Sequence, residues 1–405
     1  MSKPSILLIN RVYPPERGAT GRMMQDLSRV LHENGWRVTV LSTTSKKREI
    51  PPQGINYQMI QTKVKAKGAL SYSWIWFILF FKALRLPKHD MVVTMTDPPM
   101  LAVLGRYVSM MKGSKHIHWC QDLYPDLLPA LKIKVPSLIM RLLNRMSLKA
   151  LRKSRRVVVI GRCMKERLQR KGITPNRLTC IQNWADFDVV FPSAGGDYTK
   201  LPEKIEAVAK KPEEMFRDDS PKFRILYAGT IGRAHSIRNI IEAADILSEH
   251  KEIEFVFVGD QHVHSVLEKE RAKRGLENIK FMPFQPIEKL RSVMESGDVH
   301  LVTMRDEAQG MLVPCKFYSG LIVGRPTVFA GPSNSEIADV IGQYNAGCVV
   351  SPTDGGALAK AIYEYRMDGD LWFKAQEGAL QAAQISHPSL SLNKWADMLE
   401  KENRA

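Results

Sequence analysis

Residues 310–330, GMLVPCKFYSGLIVGRPTVFA, decide the fold. Gly310, Met311 and Leu312 open a loop, residues 314–323 have the length of a helix, Gly324-Arg325-Pro326 stops it, and residues 327–330 form an apolar strand. A loop that feeds a helix and returns as a strand is the unit of a doubly wound α/β sheet. The same unit turns backbone N–H groups and a helix N-terminus toward one point, where a phosphate can be held without a dedicated side chain. Lys316, one turn into the helix, adds a cation. Ordinary α/β packing gives this pattern too, but Glu336 in SNSEIADVI and the following AGCVVSPTD favour the phosphate site.

Outward from this stretch the chain shows the same rhythm twice. SILLIN is a buried-type strand, followed by the loop RVYPPERGATG, a helix over 22–34 with Met23, Leu27, Val30 and Leu31 at helical spacing, a stop at Gly35 and the strand WRVTVLST. Further strands are expected at 91–94, 116–120 and 157–160. The second half opens with FRILYAGTIG, continues with a helix over 237–248 and returns as IEFVFVGD. It then runs through NIKFMPF, DVHLVTM, PTVFA and GCVVS. Repeated βα units in both halves predict an α/β protein of two facing Rossmann-like doubly wound parallel-sheet domains with an inter-domain cleft. The expected boundaries are 1–190, a polar, Pro- and Lys-rich linker over 191–222 carrying a short helix at 203–210, and 223–405 including a terminal helix over 391–403. The linker stretch also fits a surface insertion within one domain.

Composition agrees with two domains, since 405 residues exceed one usual core and 44% hydrophobic residues exclude a disordered chain. An excess of 59 Lys and Arg over 42 Asp and Glu, formally +17, favours anionic partners: nucleotide diphosphates, an acidic membrane surface or nucleic acid. The 5 cysteines are scattered without C-x-x-C spacing and read as reduced core thiols, with no metal site. Met1 leads directly into a strand, so a signal peptide is not expected and the chain is expected on the cytoplasmic side.

YAGTIGRAHSIRNIIEAADIL, FVFVGD, NIKFMPFQPIEKLRSVMESGDVHLV, LVPCKFYSGLIVGRPTVF and the acidic residue before AGCVVSPTD resemble the donor-side half of family 4 glycosyltransferases of the GT-B fold. YPPERGATGRMMQDLSRVLHENGWRVTVLS and HWCQDLYPD resemble the acceptor-side half, so the likeness covers nearly the whole chain. Among its members the chain looks most like those of bacterial polysaccharide assembly, including N-acetyl-L-fucosamine transferases. The resemblance implies a metal-independent, retaining hexosyl- or N-acetylhexosaminyl-type transfer from a nucleotide-diphosphate sugar, UDP-linked, that serves as substrate. No cofactor is implied.

The residues admit that chemistry at several points. Gly229 follows a predicted strand, and Arg233 four residues on is a candidate diphosphate clamp. His235 lies where many relatives carry Lys, although an unperturbed imidazole is mostly uncharged at neutral pH. Gly18 and Gly21 sit at the first βα turn, where small residues let a phosphate or sugar approach the backbone. They do not form G-x-G-x-x-G, and glycines end strands for turn reasons alone. The family's paired glutamates, with seven residues between them, are replaced here by Met311 and Ser319, leaving Glu336 as the best carboxylate, with Glu307 and Gln309 nearby. Phe284, ending NIKFMPF, joins the donor-binding candidates. On the acceptor side, Asp122 in QDLYPD follows a predicted buried strand at a cleft edge, with Gln121 where relatives often place His. These two are the catalytic candidates. In a same-face retaining transfer the leaving diphosphate itself can take the acceptor proton, so the protein supplies positioning and charge stabilisation. Asp97 in TMTDPPM reads as a turn residue.

Two segments point to a membrane. Residues 70–86 carry Trp74, Trp76, Phe77, Phe80 and Phe81 between the cations Lys63, Lys65, Lys67 and Lys82, Arg85, Lys88. The run is too short to cross a bilayer, which needs roughly 20 residues, and reads as an interfacial helix, with Trp74, Trp76, Phe77 and Phe81 as its membrane contacts. Residues 132–156 are basic and amphipathic. Buried helices with snorkelling cations would fit both patterns. The reading is a peripheral enzyme at the inner face of the plasma membrane that extends a lipid-linked saccharide for O-antigen or capsule. Two other readings stand beside it: a non-catalytic, nucleotide-responsive membrane or nucleic-acid binder, and a sugar-nucleotide epimerase. No aromatic-basic RNA motif or zinc finger supports nucleic acid, which is not expected as a partner.

Overall fold

The computed structural model describes residues 3–14, 16, 18–44, 55–61, 68–185, 222–259 and 261–404. Residues 191–221 of the expected linker, with its helix at 203–210, lie outside them, as do Lys63, Lys65 and Lys67. The chain divides into two compact units, one formed by 1–183, 310–313 and 390–405 and the other by 184–309 and 314–389.

The first unit alternates β1 (Ser5–Ile9), α1 (Ala19–Glu33), β2 (Arg37–Thr44), β3 (Asn56–Gln61), α2 (Ala69–Arg85), β4 (Met91–Thr94), α3 (Leu101–Lys112), β5 (Lys115–Cys120), the short α4 (Leu127–Ala130), α5 (Ser137–Lys153), β6 (Arg156–Val159), α6 (Arg162–Arg170) and β7 (Leu178–Cys180). Its 7-stranded sheet has the order β3-β2-β1-β4-β5-β6-β7, all parallel. The strands are covered by helices on both faces, which is why SILLI is buried at every position and apolar at each residue from Ile6 to Ile9 rather than at alternate ones. Gly35, at φ +83°, ends α1 as expected of a glycine that stops a helix. The order reverses between β1 and β4, so the loops after these strands open the crevice where ligands sit in such sheets.

The second unit contains β8 (Phe223–Ala228), α7 (Arg238–Ile246), β9 (Ile253–Gly259), α8 (Gln261–Arg274), β10 (Ile279–Pro283), α9 (Leu290–Glu295), β11 (Val299–Thr303), α10 (Lys316–Ile322), β12 (Thr327–Ala330), α11 (Glu336–Tyr344), β13 (Gly347–Val350), α12 (Gly355–Met367) and α13 (Gly369–Ile385). Its 6-stranded parallel sheet has the order β10-β9-β8-β11-β12-β13, with the reversal between β8 and β11. Phe255, Phe257, Tyr227, Leu301, Leu358 and Trp372 lie in its core. Arg325 of the Gly-Arg-Pro stop is buried and donates to the carbonyls of Gly297 (2.9 Å), Val323 (3.1 Å) and Glu295 (3.2 Å). It therefore ties the end of α10 to the turn before β11.

Three expectations change. The helix over 314–323 is shorter, because only residues 316–322 keep helical geometry after Pro314 and before Gly324 at φ +59°. The terminal helix α14 (Pro388–Arg404), counted with the second domain although its sequence allowed packing on either half, joins the first unit from residue 390 onward. There Trp395 packs on Trp119 of β5 at 4.7 Å, Lys115 Nζ donates to the Glu402 carbonyl at 2.8 Å, and the buried Glu402 carboxylate pairs with Arg155 and Arg156. Residues 310–313 also belong to the first unit, not to the helix they precede.

Candidate active-site residues in each unit

In the first unit the side chains after β1, β4 and β5 converge. Arg11 Nε and Nη2 donate to the two Asp97 oxygens at 2.7 and 2.6 Å, a paired fork that pins the loop after β4 to the loop after β1. Asp97 is thus more than a turn residue. Asp122, at the end of β5, is half-buried and lines a hollow with Thr96, His118, Cys120 and Tyr124. Among the described residues no side chain bonds to its carboxylate. Burial, and then the charge of Asp97, push its pKa up to about 7. A carboxyl poised at neutral pH, unpaired and facing a hollow, suits proton or hydroxyl chemistry.

Gln121 is engaged elsewhere. Its Nε2 donates to Asn183 Oδ1 at 2.9 Å and its Oε1 accepts from Asn183 Nδ2 at 2.8 Å, a closed amide pair in the core. Both amide atoms hold the strand end, which leaves Asp122 as the open group of the QDLYPD motif. Gly18 and Gly21 serve packing: a Cβ would lie 2.8 Å from Val12 Cγ1 at the first and 3.0 Å from the Val12 carbonyl carbon at the second. Gly310, at φ +66°, approaches the Cys163 carbonyl, where a Cβ would sit at 3.0 Å. Met311 is buried and its carbonyl accepts from Leu123 N–H at 2.7 Å, beside Asp122, while Leu312 is half-buried.

In the second unit the centre is Lys316. Its ammonium bonds to Tyr227 Oη at 2.5 Å, stands 3.8 Å above that ring, and reaches toward the Thr230 carbonyl at 3.5 Å. The ring and the hydroxyl satisfy the cation without neutralising it, and among the described residues no carboxylate pairs with it. Burial pushes its pKa down to about 7. His235 Nδ1 bonds to the Thr303 carbonyl at 2.5 Å; burial, and then the Lys316 charge, hold its pKa down to about 3. His235 is therefore neutral and does not supply the missing cation. Gly229, at φ +115°, passes close to the Lys316 stem, where a Cβ would lie 3.9 Å from Cε. Arg233 is exposed on the following loop, Phe284 is exposed after β10, and Ser319 is half-buried on α10. Glu336 is buried at the first position of α11, behind Ser335, whose Oγ accepts from Ala338 N–H. That setting satisfies the helix end directly.

Trp76 requires a correction as a membrane contact. It donates from Nε1 to the Met100 carbonyl at 3.2 Å and stacks on Phe80 at 5.5 Å, against the core formed by Ile75, Leu79 and Leu104. Trp74, Phe77 and Phe81 are exposed, with Leu70 on the same stripe. Sequence reasoning missed Arg11, Tyr227 and Asn183, because each acts through a partner far away in the chain. Among the described residues no helix is long and apolar enough to cross a membrane.

Two doubly wound parallel-sheet units, each with polar groups gathered at the carboxyl ends of its strands, form the GT-B architecture of glycosyltransferases. Residues 20–189 match the model of Glycosyltransferase Family 4 and residues 222–368 that of Glycosyl transferases group 1, and the chain belongs to these glycosyltransferases. It is 27% identical over 283 residues to the probable glycosyltransferase WbjE of Pseudomonas aeruginosa, covering 69% of this chain and 67% of that one. It is 29% identical to the putative colanic acid biosynthesis glycosyl transferase WcaI of Escherichia coli K12, over 51% of this chain and 48% of WcaI. The chain thus matches about half the length of WcaI. The crystal structure of Anabaena HepE in complex with UDP and glucose superposes over 98% of this chain and 100% of HepE with a TM-score of 0.68 at 15% identity, a likeness of fold.

Proposed function

We infer that the enzyme transfers a hexosyl or N-acetylhexosaminyl group, with retention and without a metal, from a UDP-sugar to a lipid-linked saccharide in bacterial cell-surface polysaccharide assembly. The observation that carries this reading is Lys316, a cation without a carboxylate partner, held by a phenol at the carboxyl edge of β8. A diphosphate there would restore the ammonium that burial disfavours and gain a charge-assisted contact. The name of WcaI, a putative colanic acid biosynthesis enzyme, supports the polysaccharide, and the UDP bound by HepE supports the donor. Asp122, when ionised, accepts a hydrogen bond from the acceptor hydroxyl and orients it. The leaving diphosphate takes the proton as the new glycosidic bond forms.

A lipid acceptor is favoured by the outer face of the first unit. α3 packs against both α2 and α5, and none of the three helices contains Asp or Glu. Leu70, Trp74, Phe77 and Phe81 of α2, Met110 and Met111 of α3, and Leu138 and Leu142 of α5 are exposed beside Lys82, Arg85, Lys112, Arg141 and Arg145. Apolar rows among cations suit the interface of an anionic membrane, at the inner face of the plasma membrane. A screen of labelled UDP-sugars with membrane extract, with and without a chelator, tests the assignment. Chelator-resistant transfer of label to lipid is expected. Nucleotide binding without turnover, or interconversion of the free sugar nucleotides, would replace it.

A further inference from the structure

Thr96, His118 and Asp122 line the hollow at the ends of β4 and β5 together with Tyr124 and Ser147, whose Oγ donates to the Tyr124 carbonyl, and Leu101 and Leu151 close it on the apolar side. Its volume of ≈ 10 Å³ open to the centre of a water molecule is about the smallest that holds one water. Thr96 is buried, and its Oγ1 has no hydrogen-bond partner among the described residues. A hydroxyl in that position calls for one.

A buried chain of hydrogen bonds sets the state of His118. Ser154 Oγ donates to the Ala150 carbonyl at 3.0 Å and therefore accepts from His116 Nδ1 at 3.1 Å. His116 Nε2 is then a lone pair, which accepts from Thr94 Oγ1 at 2.9 Å. Thr94 has used its single proton and accepts from His118 Nδ1 at 3.0 Å. Burial keeps both rings neutral, with His118 pushed down to about 4 and His116 well below its ordinary value. His118 Nε2 is thereby left as an acceptor.

We propose that the hollow is the seat of one water molecule that accepts from Thr96 Oγ1 and donates both to His118 Nε2 and to the Asp122 carboxylate, making Thr96 and His118 positioning residues for Asp122. The bonding balances: one donor, two acceptors and a water that needs all three. The chain from Ser154 to His118 fixes the tautomer, and the water passes that order to Asp122. A water that donates to the carboxylate favours its ionised form, opposing burial and Asp97. The other groups around Asp122 are Arg11 on Asp97, the Tyr124 phenol, the Cys120 thiol, and Asp126 held by Lys171. Among the described residues none of them bonds to the Thr96 hydroxyl.

The inference rests on the role given to Asp122 above, so its test includes readouts independent of transfer. Thr96→Val keeps the shape and removes the donor. Carbon-13 NMR should then show Asp122 titrating about half a unit to one unit higher, the scale of one lost hydrogen bond. Transfer should fall several-fold near pH 7 and recover near pH 9, whereas Thr96→Ser should behave as the parent. A crystal structure of the parent should show a single water within hydrogen-bonding distance of Thr96 Oγ1 and His118 Nε2. An unchanged Asp122 titration in a folded Thr96→Val protein, a loss of transfer equal at every pH, or a dry hollow overturns the proposal. If Thr96→Val does not fold, the crystal structure of the parent decides. Full transfer by Asp122→Asn would instead remove the catalytic reading, while the titration and the water still judge the site.

Discussion

Replacing Trp74, Phe77 and Phe81 together by Ser should release the enzyme from anionic vesicles while leaving it folded. The three side chains are 58%, 51% and 54% exposed on one stripe of α2. With about 200 Å² per aromatic side chain, each leaves about 100 Å² to water. At about 25 cal/mol per Å² full immersion would contribute about 2.5 kcal/mol each, or about 7 kcal/mol together. A helix lying at the headgroup boundary immerses about half of that area, so about 3–4 kcal/mol of binding should disappear, a loss of a few hundred-fold in partition. Vesicle sedimentation measures the loss, and thermal melting run beside it checks the fold. Because the replaced rings are outside the core, the melting temperature should hardly move. Trp76→Ser makes the contrast: it removes the bond to Met100 and the stack on Phe80, and should destabilise the protein. A folded triple variant that sediments like the parent would refute the assignment of this face, and so would a triple variant that unfolds.

Lys316→Met should weaken UDP binding by about tenfold or more, the loss of one charge-assisted contact, as read by calorimetry. Since the pKa of Lys316 in the free protein is lowered to about 7, its charge is present below that pH, and the parent's UDP affinity should decline as pH rises from 6 to 9, a slope the variant lacks. Asp97→Asn removes a charge that raises the pKa of Asp122, so the acid limb of the pH–rate profile should move to lower pH; a limb that stays in place would exclude Asp122 as its origin. Burial opposes ionisation of Glu402, but the bonds from Arg155 and Arg156 outweigh it and hold its pKa below the ordinary carboxylate value. A lowered folded-state pKa gives stability that is present above the unfolded value of about 4.3 and lost as pH falls through the folded one. Glu402→Gln should therefore lower the melting temperature near neutrality and flatten its decline in acid.

The two-sheet architecture was legible in the chain because a strand buried on both faces carries consecutive apolar residues, as residues 6–9 (ILLI) and 255–258 (FVFV) do, and because glycine stops such as Gly35 mark where helices end. Residues 327–330 were legible for the same reason, and so was Asp122, a carboxylate directly behind a buried strand. The short strands β3 and β7 were not, since each is ordered by a neighbour in the sheet and has little pattern of its own. Periodicity and charge told that residues 70–86 form a helix with aromatic rings among cations. Only packing divided those rings, turning Trp76 inward to Met100 and leaving Trp74 in water. Gln121 and Asp122 are adjacent in sequence and differ entirely in role, because Asn183 closes on one and nothing described closes on the other. The same holds for Lys316 over Tyr227 and for Arg11 on Asp97: sequence supplies the chemical group, but its pKa and its direction depend on a partner that only the folded sheet brings within hydrogen-bonding distance.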